Sequence, residues 1–476
     1  MKLPDVSRFM HGLSTMMALL VISTMPAYAD ELDDLKKQIE ILAGKIEELE
    51  KQRAIQQAGN ISSTNIASDN IEQKPVETEI TPPLAPKTAV ITAGDIPGSF
   101  KIPDTNTSFR IYGFAQANLI YDMAGRPASR NGDSASIASA PLNDSPEYRM
   151  RGDARIGARD SRLGISTFTP TEYGDFRTVL EGDFNTSPAG KSTRATTSRA
   201  SFSVRHAYGE IGNFLAGQTF TTYMDISAFT EKLNGSGPIG RTFMRQGMLR
   251  YTHRIDEHSR FAIALENPRG DFIDADDETL DDSVPDLTAH YRYQTDRWHM
   301  QFSGVVRRLG IDDGGPTGVY GGINDNATGW GLQHSTAFTL GASKDRISWY
   351  INFGDGLGRY ADSGVDQGAS ITREGTLDTQ FTYGGFISYQ HWWTETLRSN
   401  IDLGMMHHDL NPLEEALFPD IERDSNRRIL SSHSNIIWSP LDRITLGLEY
   451  IWGKRKVHDG REGVVRRLQF TSIYNF

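Results

Sequence analysis

Hydrophobic and polar residues alternate along the last eleven positions of the chain, Arg466 to Phe476. One parity carries Leu468, Phe470, Tyr474 and Phe476, and the other carries Arg467, Gln469, Thr471 and Asn475. A period of two predicts a β-strand with one apolar and one polar face. An apolar face that ends in exposed aromatic residues suits a membrane barrel, because the outside of such a barrel meets lipid and the inside meets water.

The same alternation recurs from Ser108 to the end of the chain. Within 444–452, for example, Ile444, Leu446, Leu448, Tyr450 and Trp452 oppose Thr445, Gly447 and Glu449. Seven short polar turns and eight long loops rich in Gly, Asp and Ser alternate between segments of this kind. These connections predict an all-β fold, a transmembrane antiparallel β-barrel of about 16 strands over residues 108–476. A large soluble β-sandwich would also alternate, but it does not predict this short–long rhythm.

Residues 1–29 have the features of a secretory signal peptide. A positive start, a short apolar run and an A-x-A cleavage site are supplied by Lys2, Arg8, Leu13 to Met25 and Ala27-Tyr28-Ala29. The alternative, an N-terminal membrane anchor, needs a longer apolar run than this one. We therefore expect cleavage after the signal and a mature chain outside the cytoplasm.

Residues 30–56 carry an apolar seam whose members are spaced alternately by three and four positions: Leu32, Leu35, Ile39, Leu42, Ile46 and Leu49. This seam predicts a short periplasmic coiled coil, preceding the barrel, that is too marginal to hold chains together by itself. A single amphipathic helix packed on its own protein is the alternative. Residues 57–107 have no periodic pattern and contain six prolines, which predicts a flexible, partly extended linker.

The composition narrows the class of protein. Of the 476 residues, 38% are hydrophobic and none is a cysteine. No apolar run reaches the length of about 18 residues that a transmembrane helix needs. The lack of cysteine fits a secreted bacterial protein without disulfides. A net charge of -12 argues against nucleic acid as a partner.

The polar parity of the predicted strands carries more arginines than acidic residues. The predicted pore-lining and anion-binding residues on these strands are Arg110, Arg162, Arg177, Arg205, Arg250, Arg292, Arg307, Arg398, Arg443 and Arg467. A guanidinium group stays charged, and its planar fork matches a carboxylate or a phosphate. Such residues along a narrow pore would concentrate anions and guide them through it. The alternative is that these arginines only neutralise acidic residues and brace the wall.

The third long loop, 226–242, is the predicted constriction of the pore. Its residues Gly235, Gly237, Pro238 and Gly240 suit a compact chain folded into the lumen. Arg241 and Arg245, near the end of the loop, would then lie beside the narrowest point. Both therefore join the predicted pore-lining set.

Three stretches of the chain resemble porins. Arg110 to Asp122 (R-I-Y-G-F-A-Q-A-N-L-I-Y-D) is similar to the first strand of porin-type channels, and Ser161 to Phe176 is similar to a strand, turn and strand of general porins. Arg205 to Asp225 (R-H-A-Y-G-E-I-G-N-F-L-A-G-Q-T-F-T-T-Y-M-D) resembles the DcaP-like trimeric outer-membrane porins, which also have a periplasmic coiled coil. The resemblance implies a homotrimer of 16-stranded barrels that takes up small anions such as dicarboxylates.

The predicted function is passive diffusion of small anionic solutes across a bacterial outer membrane, with the N-terminal segment in the periplasm. The predicted partners are outer-membrane lipid and lipopolysaccharide, the solutes, two further copies of the chain, and the barrel-assembly machinery, which would recognise Phe476. No enzyme activity, cofactor, catalytic site or metal site is predicted; His407 and His408, for instance, would point to opposite faces of a strand. The alternatives are a structural barrel tethered to periplasmic partners by its coiled coil, and an outer-membrane hydrolase.

Overall fold

The computed structural model of the chain describes residues 91–125, 133–186, 200–272, 279–315, 318, 320–361 and 367–476. The predicted signal peptide, the predicted coiled coil and the first part of the predicted linker lie outside the described residues. No helix within the described part of the chain is long and apolar enough to cross a bilayer.

Sixteen strands of the described chain form one closed antiparallel barrel, which confirms the predicted fold and strand number. They are β1 (Ser108–Ala124), β2 (Asp153–Gly157 continued by Arg162–Thr171), β3 (Gly174–Thr186), β4 (Ser201–Ile211), β5 (Phe214–Phe220), β6 (Arg245–Arg254), β7 (Ser259–Glu266), β8 (Asp286–Gln294), β9 (Trp298–Asp312), β10 (Asn324–Thr339), β11 (Arg346–Asp355), β12 (Phe381–Trp392), β13 (Leu397–Asp409), β14 (Asn426–Leu441), β15 (Ile444–Val457) and β16 (Glu462–Asn475). Each strand pairs with the next one along the chain. The barrel closes where β16 pairs with β1, and Leu119 lies opposite Phe470 there.

The connections alternate between short turns at one end of the barrel and long loops at the other. Both termini of the barrel lie at the end with the turns, which we call the turn side; the opposite end is the loop side. The long loops, L1 to L8, are 125–152, 187–200, 221–244, 267–285, 313–323, 356–380, 410–425 and 458–461.

A few short elements accompany the barrel. The strand Phe100–Lys101 pairs with the start of β1, and L6 holds a hairpin of Ala369–Ile371 and Leu377–Thr379. The helical turns among the described residues are Glu147–Arg149, Ile226–Ala228, Gly358–Tyr360 and Pro419–Glu422.

Side chains alternate between the two faces of the wall. In β1, Leu119 is 50% exposed whereas its neighbour Asn118 is fully buried, and in β16 Phe470 and Gln469 differ in the same way. Closure bonds the backbone of each strand to both neighbours, which hydrocarbon requires because it offers no hydrogen bonds of its own. The exposed apolar residues therefore form the lipid-facing surface, and the polar residues face the interior.

The outward face of β13 offers a test of this assignment. Leu403 is 53% exposed near the middle of the strand. We expect Leu403→Arg to lower the free energy of unfolding in lipid vesicles by about 2–4 kcal/mol, because a guanidinium in mid-bilayer loses its hydration. Tyr173→Arg, on an exposed turn, should change it by less than about 1 kcal/mol. Denaturant titration measures both values, and equal losses would mean that this face of β13 does not meet lipid.

Candidate functional site

L3 leaves the wall after Phe220 and returns to it at Arg245, and between these points it runs through the interior of the barrel. The side chains of Tyr223, Ala228 and Leu233 are buried there. The predicted constriction loop, 226–242, is therefore the middle of L3.

Asp225 fastens the first part of L3 to the wall. Its carboxylate accepts hydrogen bonds from Arg292 and Ser335, each at 2.7 Å, and from His299 at 2.9 Å. These partners lie on β8, β10 and β9. Burial alone would raise the pKa of Asp225, but the hydrogen bond from His299 and the charge of Arg292 hold that pKa well below its ordinary value. Asp225 is therefore an ionised anchor at neutral pH.

The middle of L3 is fastened farther around the wall. Glu231 accepts hydrogen bonds from Nη2 of Arg398 at 2.6 Å and from Nε of the same residue. The backbone N–H of Leu233 donates to Glu449 at 2.7 Å. Because Arg398 is on β13 and Glu449 is on β15, L3 crosses the lumen between its two sets of anchors.

Two inward positions of the wall are glycines where L3 touches them. A Cβ atom at Gly404 of β13 would lie 2.3 Å from the backbone oxygen of Ile239, and one at Gly447 of β15 would lie 2.6 Å from the side chain of Leu233. A glycine in a strand often marks such a close approach of another chain segment. These two positions let L3 pack directly on the wall.

L1 and L6 also fold into the interior. Tyr360 of L6 is fully buried, and its ring centroid lies 5.6 Å from that of Tyr223 in L3. Ile137 of L1 lies against Gly453 of β15. The loops and the inner wall share one buried apolar cluster. A wall of this size encloses a lumen that its own side chains cannot fill, so the loops fill part of it and narrow the path for water.

A cavity of about 800 Å³ remains beside L3, bounded also by L1 and by strands from β16 around to β6. Its charged lining, among the described residues, is cationic in excess: Arg162, Arg205, Lys232, Arg241 and Arg245 against Asp160 and Asp183. The structure therefore brings four of the predicted arginines together in one space.

These cations differ in whether they form ion pairs with acidic residues. Arg205 is paired with Glu181 at 3.0 Å and with Asp183, and Arg162 lies 3.4 Å from Glu181. Arg245, in contrast, has no carboxylate within ion-pair distance among the described residues, and its Nε and Nη2 atoms are buried without a hydrogen-bond partner there. Arg245 is thus free to attract an anion.

Aromatic rings hold the two cations at the end of L3. The guanidinium groups of Arg241 and Arg245 lie 4.3 and 4.9 Å from the ring centroid of Phe243. A guanidinium packs well on an aromatic face, and this contact leaves its N–H groups available at the edges. Arg241 also donates to the carbonyl oxygen of Gly235 at 2.9 Å.

Lys232 is a cation of this cavity that the sequence analysis missed. Its ammonium group lies 5.7 Å from the ring centroid of Phe229, and it is buried without a hydrogen-bond partner among the described residues. Burial lowers the pKa of Lys232 to about 8. A signal was present, since Lys232 lies inside the predicted constriction loop, but Lys232 is not one of the arginines from which the pore lining was predicted.

The remaining predicted arginines lie in two other places. The turn-side half of the wall holds Arg110, Arg177 and Arg250, whereas Arg443 is exposed in the turn between β14 and β15 and not on a strand as predicted. A buried group, in which each member contacts an acidic residue, consists of Arg292, Arg307, Arg398 and Arg467.

Each member of this group is at most 6% exposed. Arg307 lies 2.9 Å from Asp271 of L4, and Arg467 lies 2.6 Å from Asp122 of β1. Loops fold over these side chains, so their ion pairs fit the alternative role of bracing the wall and not the predicted lining of the pore.

Comparison with known proteins identifies the barrel. A model of the DcaP outer membrane protein family matches residues 94–476. The chain belongs to the DcaP outer membrane protein family. It is therefore an outer-membrane porin, which confirms the resemblance found in the sequence, and its family and fold point to a channel rather than to an enzyme.

Solved structures of porins are similar to this DcaP-family chain in fold. The outer membrane channel DcaP of Acinetobacter baumannii has a TM-score of 0.66 at 21% identity, with 81% of this chain and 100% of that chain covered. The anion-selective porin from Comamonas acidovorans has a TM-score of 0.50 at 12% identity, with 78% and 100% covered. No curated protein matches the sequence.

The contact of L3 with Gly404 gives a test of the porin's constriction. We expect Gly404→Val to push Ile239 and L3 towards the cavity and to lower single-channel conductance in planar bilayers, with a loss of stability of about 1–3 kcal/mol from overpacking. Gly247→Val is the matched control, since a Cβ atom at Gly247 meets nothing within 4 Å. If both variants conducted like the parent, L3 would not border the conducting path.

Proposed function

We propose that this porin is a passive channel that favours small anions and that it selects them in the cavity beside L3. The observation that carries the proposal is the cationic lining of that cavity. Its positive members outnumber its acidic members, and Arg245 and Lys232 have no carboxylate partner among the described residues. A confined space with this charge raises the local concentration of anions and repels cations.

Dicarboxylates are the solutes that we propose. A guanidinium can bind a carboxylate through two parallel hydrogen bonds, and several guanidinium groups surround one space here. A dianion can therefore engage two of them at once. The family resemblance implies the same class of solute, and one porin of similar fold is described as anion-selective.

The proposal includes the segments outside the barrel. Residues 1–29 would direct export and be removed, and residues 30–56 would form a coiled coil in the periplasm, joined by the linker to the turn side. Three copies would assemble as a homotrimer in outer-membrane lipid and lipopolysaccharide. Phe476, which is 56% exposed beside the end of β16, would be the residue that the barrel-assembly machinery recognises.

Neutralising three cavity arginines tests the selectivity. We expect Arg205→Gln, Arg241→Gln and Arg245→Gln together to lower the ratio of chloride to potassium permeability on the order of tenfold, because the lining loses its cationic excess. The reversal potential in a salt gradient measures this ratio. Arg297→Gln, Lys344→Gln and Arg423→Gln together are the control, since they remove the same charge from exposed positions that do not line the cavity.

The outcomes separate the candidate functions. Equal reversal potentials for the two triple variants would contradict selection at L3. A parent protein that inserts into the bilayer and carries no current would instead support the structural, tethered barrel.

Lys232 predicts a dependence on pH. The charged groups that face it are Asp402, Arg241 and Glu449. Because its pKa is about 8, a rise from about pH 7 to about pH 9 removes its proton, and anion selectivity should fall over that interval. Lys232→Arg should keep the selectivity at the higher pH, and Lys232→Met should show the lower selectivity throughout. Reversal potentials that follow the same pH curve in all three proteins would rule out Lys232 as the titrating group.

A further inference from the structure

Three arginines stand side by side on the inner wall at the turn side. Arg254 of β6 lies directly opposite Arg260 of β7, and Arg260 lies directly opposite Arg292 of β8. Directly opposite residues of antiparallel strands share one face of the sheet, and Ala262 and Ala264 of β7, which share the parity of Arg260, are buried on the inward face. The three guanidinium groups, which we call the arginine row, therefore all face the lumen.

Like charges at directly opposite positions destabilise a sheet. Asp225 compensates Arg292 at 2.7 Å, but no carboxylate among the described residues lies within ion-pair distance of Arg254 or Arg260. Among the described residues, the side chain of Arg254 makes one hydrogen bond, from Nε to the backbone oxygen of Asp256 at 3.3 Å. Arg254 and Arg260 thus repel each other without an ion-pair partner among the described residues, and a bound anion would relieve this repulsion.

The row borders a cavity of about 570 Å³ at the turn-side mouth. The cavity also has acidic residues at its border, namely Glu210, Asp256, Glu257 and Asp296. Asp256 accepts hydrogen bonds from the backbone N–H groups of His258 and Ser259, at 2.8 and 2.7 Å, and Glu257 lies 3.4 Å from His258. Among the described residues, none of these four carboxylates lies within ion-pair distance of Arg254 or Arg260.

We propose that the arginine row is a second binding site for dicarboxylates, separate from the cavity beside L3. Opposite side chains on neighbouring strands have Cβ atoms roughly 5 Å apart, so two carboxylates of one small dianion can each reach a guanidinium. A monocarboxylate can relieve the repulsion only at one of them. The site therefore favours dianions over monoanions of similar size.

The position of the row determines from which side of the membrane it would bind solutes. Short turns of outer-membrane barrels face the periplasm, so the row lies at the periplasmic mouth of the channel. Solutes pass it when they leave the channel towards the periplasm or enter the channel from there. It would capture dianions on that side and leave capture from the loop side to the L3 cavity. This inference rests on the proposed function for its solute class.

Single-channel block tests the site. Succinate is added first to one chamber and then to the other, and the rate of blocking events is measured from each side, with acetate as the monoanion. We expect Arg254→Gln with Arg260→Gln to reduce the turn-side rate for succinate on the order of tenfold and to leave the loop-side rate unchanged. Arg260→Gln alone is a second variant that removes the middle charge of the row.

The controls separate this inference from the proposed function. Arg297→Gln with Lys344→Gln removes two exposed charges from turns, neither of which lines the cavity of the row, and should leave both rates unchanged. If both row variants matched this control, or if the turn-side blocking rates of acetate and succinate fell equally, the second site would be excluded. The L3 proposal would still stand. If instead the L3 triple variant kept its anion selectivity while the row variants lost turn-side block, selection at L3 would be contradicted. Binding of dianions at the arginine row would still be supported.

Discussion

Backbone hydrogen bonding in hydrocarbon is the constraint on which this structure depends. Lipid cannot bond an N–H or C=O group, so each strand must be paired on both sides and the sheet must close. The pairing of β16 with β1 meets this demand. Once the sheet is closed, the two faces of the wall follow different rules: Leu119 and Phe470 must suit lipid, whereas Asn118 and Gln469 can be polar.

A closed wall of sixteen strands creates a second problem, because its lumen is too wide for side chains from the wall to fill. Loops solve it by entering the interior, and the polar inner face determines how they are held. L3 is fixed by Asp225 and Glu231, and L4 is fixed through Asp271 and Arg307. Buried ion pairs of this kind add little net stability over apolar contacts, but they fix position because a misplaced charge would be left without a partner.

The sequence predicted the wall well because the wall repeats a local rule. The parity of Leu448 and Glu449, for example, gave the correct faces, and the rhythm of turns and loops gave the correct strand number. The lumen follows no local rule. Glu231 and Arg398 are 167 positions apart, and nothing in either neighbourhood indicates that they meet. Arg307 and Arg467 carry the same inward parity as Arg205, so parity alone could not separate bracing residues from those that border the cavity.

The distinction between occupied and open arginines is therefore the physical basis of the proposed selectivity, and Arg292 shows how the two kinds are linked. Through Asp225 it holds L3, and through its place opposite Arg260 it belongs to the arginine row. Loss of its charge would release an anchor of the constriction and weaken the row together, so an effect at this residue could not be assigned to either. Arg254 and Arg260 hold no loop among the described residues, which makes them the positions where binding can be separated from the architecture of the lumen.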